Sequence, residues 1–197
     1  MFLQHKTSVY DIDSIKPIID VVVENSGLNR TSVPARIITD HIRTATHIIA
    51  EGIFPSNKKQ GYVLRKLIRR AACQAYIHDV DVSTLSKVSL KTIEIMGEDY
   101  PKLESNSRII LKTIDEEAQS LIRILSNKRV QRHLTNLFTE VTDNLVNTEA
   151  AFNLSTTLGV PKEIIESMAQ LKNVIFDATA YDVLFAKHRE LSNRPKR

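Results

Sequence analysis

The spacing of apolar residues is the feature that most limits the folds open to this chain. Apolar side chains recur every three or four positions, as at Leu64, Ile68, Ala71 and Ala75, and no convincing run alternates strictly between apolar and polar residues. The first pattern is typical of an amphipathic helix and the second of a half-buried strand. Five glycines and six prolines in 197 residues provide little of the turn chemistry of a many-stranded sheet. We therefore predict an all-α bundle of about seven to nine helices with no substantial sheet.

Capping and turn residues predict where the helices begin and end. Gly27 is expected to end the first helix, Thr31 or Ser32 to cap the second with Pro34 in its first turn, and Ser56 or Asn57 to cap the third. The predicted helices cover about 13–25, 32–51, 57–76, 84–96, 101–126, 128–146, 148–157, 161–171 and 173–191. We predict two domains, residues 1–146 and a smaller C-terminal helical domain over residues 147–197.

Composition excludes several classes of protein. Cys73 is the only cysteine and cannot form an internal disulfide, which fits a reducing cytoplasm. No stretch approaches eighteen apolar residues and no charged-then-apolar leader begins the chain, so we expect a cytoplasmic protein without a membrane partner. The six histidines are scattered without metal-ligand spacing, so no metal site is assigned. No nucleophile accompanies His41, so no catalytic residue is assigned.

The positive charge is concentrated in the first part of the sequence. Residues 1–75 hold eleven Lys or Arg against six Asp or Glu, whereas residues 79–197 hold sixteen against seventeen. No acidic residue lies between Gly52 and His78. A local field of this kind attracts polyanions.

The third predicted helix separates its apolar and basic residues. Leu64, Leu67, Ile68, Ala71 and Ala75 form one stripe, and another face carries Tyr62, Arg65, Lys66, Arg69 and Arg70. A solvated cationic face is the simplest interpretation. Such a face usually includes acids at i, i+4 spacing, which are absent here, and phosphates would relieve the repulsion. Gly61 inside this helix costs about 1 kcal/mol relative to alanine, so packing or a close backbone approach must require it.

Residues 36–71, "RIITDHIRTATHIIAEGIFPSNKKQGYVLRKLIRRA", closely resemble the start of the tRNA-recognition region of the alanyl-tRNA synthetase family. Weaker similarity continues through "GEDYPKL", "ILKTIDEEAQSLIRIL" and "EAAFNLSTTLGVPKEI". The resemblance implies that this chain is only the middle helical region of such an enzyme. The catalytic and editing domains are expected to lie elsewhere, so this fragment alone is not expected to catalyse the ATP-dependent ligation. No cofactor is expected in it, because ATP and Mg²⁺ would belong to the missing catalytic domain.

By this resemblance the partner is the acceptor stem of an alanine tRNA, whose G·U wobble pair leaves a guanine amine unpaired in the minor groove. The family's discriminating asparagine corresponds to Asn57, which could instead be a helix cap. Its second discriminator, an aspartate, corresponds to Thr156, an uncharged acceptor that implies weaker selectivity, another identity pair or a lost function. Candidate phosphate contacts are Lys58, Lys59, Arg65, Lys66, Arg69 and Arg70.

A second polar group is predicted to face the catalytic domain, in cis or in trans. It contains Arg36, Asp40, His41 and Arg43; the first three are expected to form an internal network, and Arg43 is open to a role near the acceptor end. Glu116 and Glu117 are interpreted as the solvated face of a long helix. The alternative function is a helical protein-interaction module, or a decayed fragment without RNA recognition. A DNA-reading helix-turn-helix is disfavoured because the helices are too long and "FPSN" lacks its glycine turn.

Overall fold

The computed structural model describes residues 5–192, with side chains described up to residue 189, and this part of the chain is helical. Its ten α-helices are α1 Lys16–Ser26, α2 Val33–Ala50, α3 Lys59–Ile77, α4 Ser83–Met96, α5 Pro101–Ser105, α6 Ser107–Leu125, α7 Lys128–Thr139, α8 Thr148–Leu158, α9 Lys162–Leu171 and α10 Ala178–Ser192. No strand forms in this range, where β-type pairing is confined to two isolated bridges. The predicted all-α class is confirmed, with one helix more than the upper bound expected.

The first two helices have the boundaries that their capping residues predicted. Gly27 follows α1 in the left-handed conformation, with φ 67°, which glycine adopts without a Cβ penalty. The Ser32 hydroxyl accepts a hydrogen bond from the Ala35 amide at 3.4 Å, and Pro34 lies in the first turn of α2. Local chemistry is sufficient to place these ends.

The described residues up to Ile122 form the first of two compact units. Helix α2 packs along α3, and α1 and α4 pack against α2 and each other. The Thr46 and Ser89 hydroxyls bond to each other at 2.8 Å within this core, which satisfies two buried polar groups. The largest fully buried side chains of these four helices are aliphatic: Ile18, Ile19, Ile38, Ile42, Ile49, Leu64, Ile68 and Leu85.

The single helix predicted over 101–126 is interrupted at Asn106. This residue leaves helical geometry, with φ −103° and ψ 9°. Its side-chain Nδ2 donates to the Ala50 carbonyl, at 2.9 Å, at the end of α2. Carbonyls of a last helical turn have no partner within their own helix. The helix is therefore interrupted where Asn106 bonds a carbonyl 56 positions earlier in the chain. The local spacing of residues could not reveal this contact.

Two helices in the later part of the chain are shorter than predicted. Helix α7 ends at Thr139 rather than near 146, and α10 begins at Ala178 rather than at 173. Asp143, Asn144 and Asn173 have φ values of 52°, 60° and 54°. Asn and Asp enter this left-handed region more readily than most residues, and a helix cannot continue through it.

Backbone hydrogen bonds between these two non-helical segments replace the missing helical ones. The Val146 amide donates to the Ile175 carbonyl at 2.8 Å, and the Ile175 amide donates to the Asn144 carbonyl at 2.8 Å. The segments that were predicted as helix ends therefore pair with each other instead.

The described residues from Arg123 onward form the second compact unit. It contains α7 to α10 and a cluster of ring contacts around Phe152 and Tyr181. The division lies within α6, whereas the sequence predicted a division between residues 146 and 147. No helix within residues 5–192 has the length and apolarity required to cross a membrane.

Candidate nucleic-acid interface

Helix α3 divides its faces as its sequence predicted, except that Leu67 of the predicted stripe is only partly buried. Leu64, Ile68, Ala71 and Ala75 are fully buried against the core of the first unit, while the Tyr62 side chain is half exposed. Because the apolar stripe is fixed against α2, the basic stripe of α3 is held on the outer side of this helix pair.

The start of α3 differs from the expected capped helix. Lys58 occupies the N-cap position without a side-chain bond to the helix, so the prediction of Ser56 or Asn57 as the cap is wrong. The Ser56 hydroxyl instead accepts from the Lys58 amide at 3.3 Å and donates to the Lys58 carbonyl at 2.9 Å. Lys59 then has φ 48°, a left-handed value that is unfavourable for a lysine. Asn57 is thereby left out of the helix, with its side chain exposed.

Gly61 lets the segment before α3 fold back onto the helix. A Cβ at this position would lie 2.5 Å from the Phe54 carbonyl oxygen and 2.9 Å from the Ser56 Cβ. The Ser56 amide donates to the Gly61 carbonyl at 3.0 Å. The close backbone approach expected of this glycine is confirmed, and it fixes the turn that carries Asn57.

The Asn57 amide is oriented by a neighbouring guanidinium. Arg65 Nη1, nearly two turns into α3, donates a hydrogen bond to Asn57 Oδ1. An amide oxygen has two lone pairs, so Oδ1 retains capacity for a second donor.

Glu117 contradicts the prediction of a solvated glutamate. Its side chain is only 12% exposed, against 66% for Glu116. Arg69 Nε donates to Glu117 Oε1 at 2.5 Å, and Arg65 Nε lies 3.5 Å from the same oxygen. The side chain of Glu117 is turned toward α3 and pairs with two cations of that helix, whereas Glu116 is exposed and pairs with Lys112 at 3.7 Å.

The other predicted phosphate contacts are more exposed. The side chains of Lys58, Lys59, Lys66 and Arg70 are all exposed, whereas Arg65 and Arg69 are about one-quarter exposed. The basic surface therefore consists of an outer group, Lys58, Lys59, Lys66 and Arg70, and an inner pair, Arg65 and Arg69. We use these two names below.

The polar group of α2 is arranged around Tyr10, which the sequence analysis did not connect with it. The Tyr10 hydroxyl donates to Asp40 Oδ2 at 2.5 Å, and the Arg36 guanidinium lies 4.8 Å from the Tyr10 ring centroid. Burial, followed by the hydrogen bond to Asp40, raises the pKa of Tyr10 to about 12. Arg43 acts on this group through its charge, and its buried Nε has no hydrogen-bond partner within the described residues.

His41 follows Asp40 on α2 and is partly buried. Burial lowers the pKa of His41, the charge of Arg70 lowers it further, and Asp40 opposes the shift. The charges of Arg70 on α3 and of Asp40 on α2 therefore both act on His41, while Asp40 and Arg36 contact Tyr10.

Thr156 belongs to the second unit and lies on the exposed face of α8. Its hydroxyl donates to the Phe152 carbonyl at 3.0 Å, with the Asn153 carbonyl at 3.5 Å. Because the hydroxyl proton is directed into the helix backbone, the lone pairs of Oγ1 are available to an external donor.

A cleft of about 360 Å³ borders the same helix. Arg129 and His133 of α7 line one side, and Asn153 and Thr157 of α8 line the other. Sequence reasoning did not identify this cleft, because its residues are ordinary exposed positions on two helices.

Comparison of the sequence with known proteins identifies the family of this chain. The sequence model of the family described as tRNA synthetases class II (A) matches residues 1–197. The chain belongs to this family. Over nearly all its length it is similar to part of several alanine–tRNA ligases.

Three relatives illustrate the similarity. The alanine–tRNA ligase of Caulobacter vibrioides is 30% identical over 198 residues, covering 96% of this chain and 22% of the relative. That of Natranaerobius thermophilus is 32% identical over 205 residues, covering 98% and 23%. That of Haemophilus influenzae strain PittGG is 34% identical over 185 residues, covering 91% and 20%. The chain therefore spans about a fifth of the length of these curated relatives.

Within this class II (A) synthetase chain, the structure groups the predicted site residues into three sets. Asn57 and the six basic residues lie around the start of α3 and along it, with the inner pair facing Glu117. Arg36, Asp40, His41 and Arg43 lie on α2, where Asp40 and Arg36 contact Tyr10. Thr156 lies in the second unit. No cluster of three or more potential metal-ligating side chains occurs in the described part of the chain.

Proposed function

We propose that this chain is the tRNA-binding region of an alanine–tRNA ligase. It positions the acceptor stem and reads the G·U wobble pair for alanylation by a separate catalytic domain. The observation that carries the proposal is the exposed Asn57 amide, which lies beside the basic face of α3 in a segment without any acidic residue from Gly52 to His78. Membership of the synthetase family supports tRNA as the polyanion that this surface attracts.

Two hydrogen-bond acceptors carry the base-reading part of the proposal. The guanine amine of a G·U pair is a donor that projects into the wide minor groove of an RNA helix. Asn57 Oδ1 keeps one lone pair beside its bond to Arg65, and Thr156 Oγ1 offers lone pairs because its proton goes to Phe152. A G·C pair would use the same amine in base pairing and would offer less to either acceptor.

The basic residues position the stem without reading its sequence. Phosphate contacts of this kind fix the register and orientation of the RNA. The outer group is the better placed for direct contact because its side chains are exposed, while the inner pair already faces Glu117.

The chemistry of ligation is assigned to the catalytic domain, acting in cis or in trans. ATP and Mg²⁺ would bind there and not to this chain. Arg36, Asp40, His41 and Arg43 are proposed to face that domain, with Tyr10 holding Asp40 in place.

The decisive experiment compares acceptor-stem minihelices that carry G·U or G·C. We expect tighter binding of the G·U minihelix, and we expect Asn57→Ala to remove on the order of 1–3 kcal/mol of that preference, because the variant lacks the acceptor. Fluorescence anisotropy with labelled minihelices measures the dissociation constants of both complexes. Equal binding of the two minihelices by the unmodified chain would refute the base-reading role.

Two control variants separate reading from positioning. Arg70→Ala should weaken both minihelices alike, because a phosphate contact carries no sequence information. Lys91→Ala on α4, where the lysine pairs with Glu94 at 2.6 Å, removes the same charge at a site outside the proposed surface and should leave both affinities unchanged.

A protein-interaction module is the second candidate. Four large apolar side chains of the second unit are about half exposed or more: Leu171, Ile175, Val183 and Phe185. Failure to bind either minihelix, together with recovery of a protein partner by the intact chain but not by a Leu171→Ser/Phe185→Ser variant, would favour this candidate.

A further inference from the structure

The inner pair and Glu117 form a connected set with Asn57. Arg65 donates from Nη1 to Asn57 Oδ1 and places Nε 3.5 Å from Glu117 Oε1. That distance is an ion-pair contact, and no acceptor in the described residues hydrogen-bonds the buried Nε. Arg65 is therefore held between an amide and a carboxylate.

Arg69 shares the carboxylate oxygen that faces Arg65. Its Nε donates to Glu117 Oε1 at 2.5 Å. Arg65 and Arg69 are four residues apart on α3, a spacing at which like charges repel. One carboxylate between them removes the repulsion that would otherwise push Arg65 away from Asn57.

We propose that Glu117 is a positioning residue for base reading, which acts on the RNA only through Arg65 and Asn57. This inference rests on the proposed function of Asn57. Glu117 holds the Arg65 guanidinium in position. Arg65 in turn fixes the rotation of the Asn57 side-chain amide and therefore the direction in which its oxygen points.

The rotation of the amide decides whether Asn57 can read a guanine amine. The carbonyl end accepts hydrogen bonds, whereas the NH₂ end only donates. A guanine amine is itself a donor, so an Asn57 amide turned by half a rotation would present a donor to a donor. A guanidinium only donates hydrogen bonds, so Arg65 can bond the amide oxygen of Asn57 but not its NH₂ group. The Arg65 bond therefore selects one of the two amide rotations.

Glu117 and Glu116 provide a matched pair of variants. Glu117→Gln keeps the size of the side chain and removes its charge, and Glu116→Gln does the same at the adjacent exposed position. We expect Glu117→Gln to lower the ratio of G·U to G·C affinity on the order of tenfold while leaving affinity for the G·C minihelix the same or higher, because the arginines keep their charge. Glu116→Gln should leave the ratio unchanged.

A double-mutant cycle distinguishes positioning from a general structural effect. In the Asn57→Ala background, Glu117→Gln should have no further effect on the ratio, because its route to the RNA has been removed. Arg65→Lys, which keeps the charge but cannot bridge two partners through one planar group, should reproduce the loss. An unchanged ratio in Glu117→Gln, or a full additional loss in the Asn57→Ala background, would overturn the proposal.

A measurement without RNA separates the hypothesis that Glu117 orients Asn57 from the hypothesis that Asn57 reads the G·U pair. The side-chain amide resonances of Asn57, followed by NMR in the full chain, should shift in Glu117→Gln and Arg65→Lys and remain in place in Glu116→Gln. If the unmodified chain does not prefer G·U, the proposed function fails, and the claim that Glu117 orients Asn57 stands or falls on these resonances.

Discussion

The two acceptors proposed to read the wobble pair are held in different ways. Asn57 lies in a turn in which Lys59 has a left-handed backbone conformation and Gly61 closely approaches the preceding segment. Its side-chain amide accepts a hydrogen bond from Arg65 of α3. Thr156 lies on a regular helix, and its hydroxyl is bonded to the backbone of that same helix. The first acceptor therefore depends on tertiary contacts and charge, whereas the second depends only on the formation of α8.

Gly61→Ala tests the tertiary dependence of the first acceptor and has the largest expected effect. The added Cβ would meet the Phe54 carbonyl and the Ser56 side chain, and overpacking of this kind costs about 1–3 kcal/mol. Thermal unfolding should show a lower Tm, and the preference for G·U should fall because the turn carrying Asn57 is displaced. Gln60→Ala, at the neighbouring exposed position, should change neither quantity.

Lys59→Gly tests the strain in the same turn in the opposite direction. Glycine adopts φ near 48° without the penalty that a Cβ imposes, so we expect stabilisation by about 1 kcal/mol. Denaturant unfolding measures the change. A loss of stability would mean that the lysine side chain contributes more than its backbone conformation costs.

Thr156→Val tests the second acceptor while preserving its shape. The variant removes the hydroxyl, and a typical neutral hydrogen bond contributes about 0.5–1.5 kcal/mol, so the preference for G·U should fall less than in Asn57→Ala. Thr157→Val is the matched control on the same helix. An equal loss in both valine variants would show that α8 contributes no specific acceptor.

His41 gives the smallest effect and probes the contact between α2 and α3. Its folded pKa lies below the ordinary value of 6.5, mainly because of burial and also because of Arg70. Its contribution to stability is therefore complete above pH 6.5 and is lost as the pH falls through the folded pKa. His41→Gln should flatten the decline in stability as the pH falls below 6.5. NMR titration of Arg70→Ala should show a higher His41 pKa.

The sequence predicted some of the features around the first acceptor that depend on local chemistry, although its assignment of Ser56 or Asn57 as the helix cap was wrong. The buried stripe of α3, the exclusion of Asn57 from that stripe and the close approach at Gly61 follow from residue spacing and residue type. The sequence did not predict the role of Glu117, because helical periodicity shows which face a residue occupies and not which distant residue it meets. Arg69 and Glu117 are 48 positions apart.

The helix boundaries show the same limit. Gly27 and Ser32 act on their own neighbours and were placed correctly, whereas the break at Asn106 involves the carbonyl of Ala50 in another helix. The early end of α7 accompanies pairing of Val146 with Ile175, which are far apart in the sequence.

The single carboxylate between Arg65 and Arg69 also alters how ionic strength acts on this surface. Counterion release depends on how many phosphates a protein neutralises, and two guanidiniums that share an anion of the protein neutralise fewer than two. The segment from Phe54 to Ala71 contains six basic residues. For the proposed RNA binding, we therefore expect a salt dependence that corresponds to fewer neutralised phosphates than six.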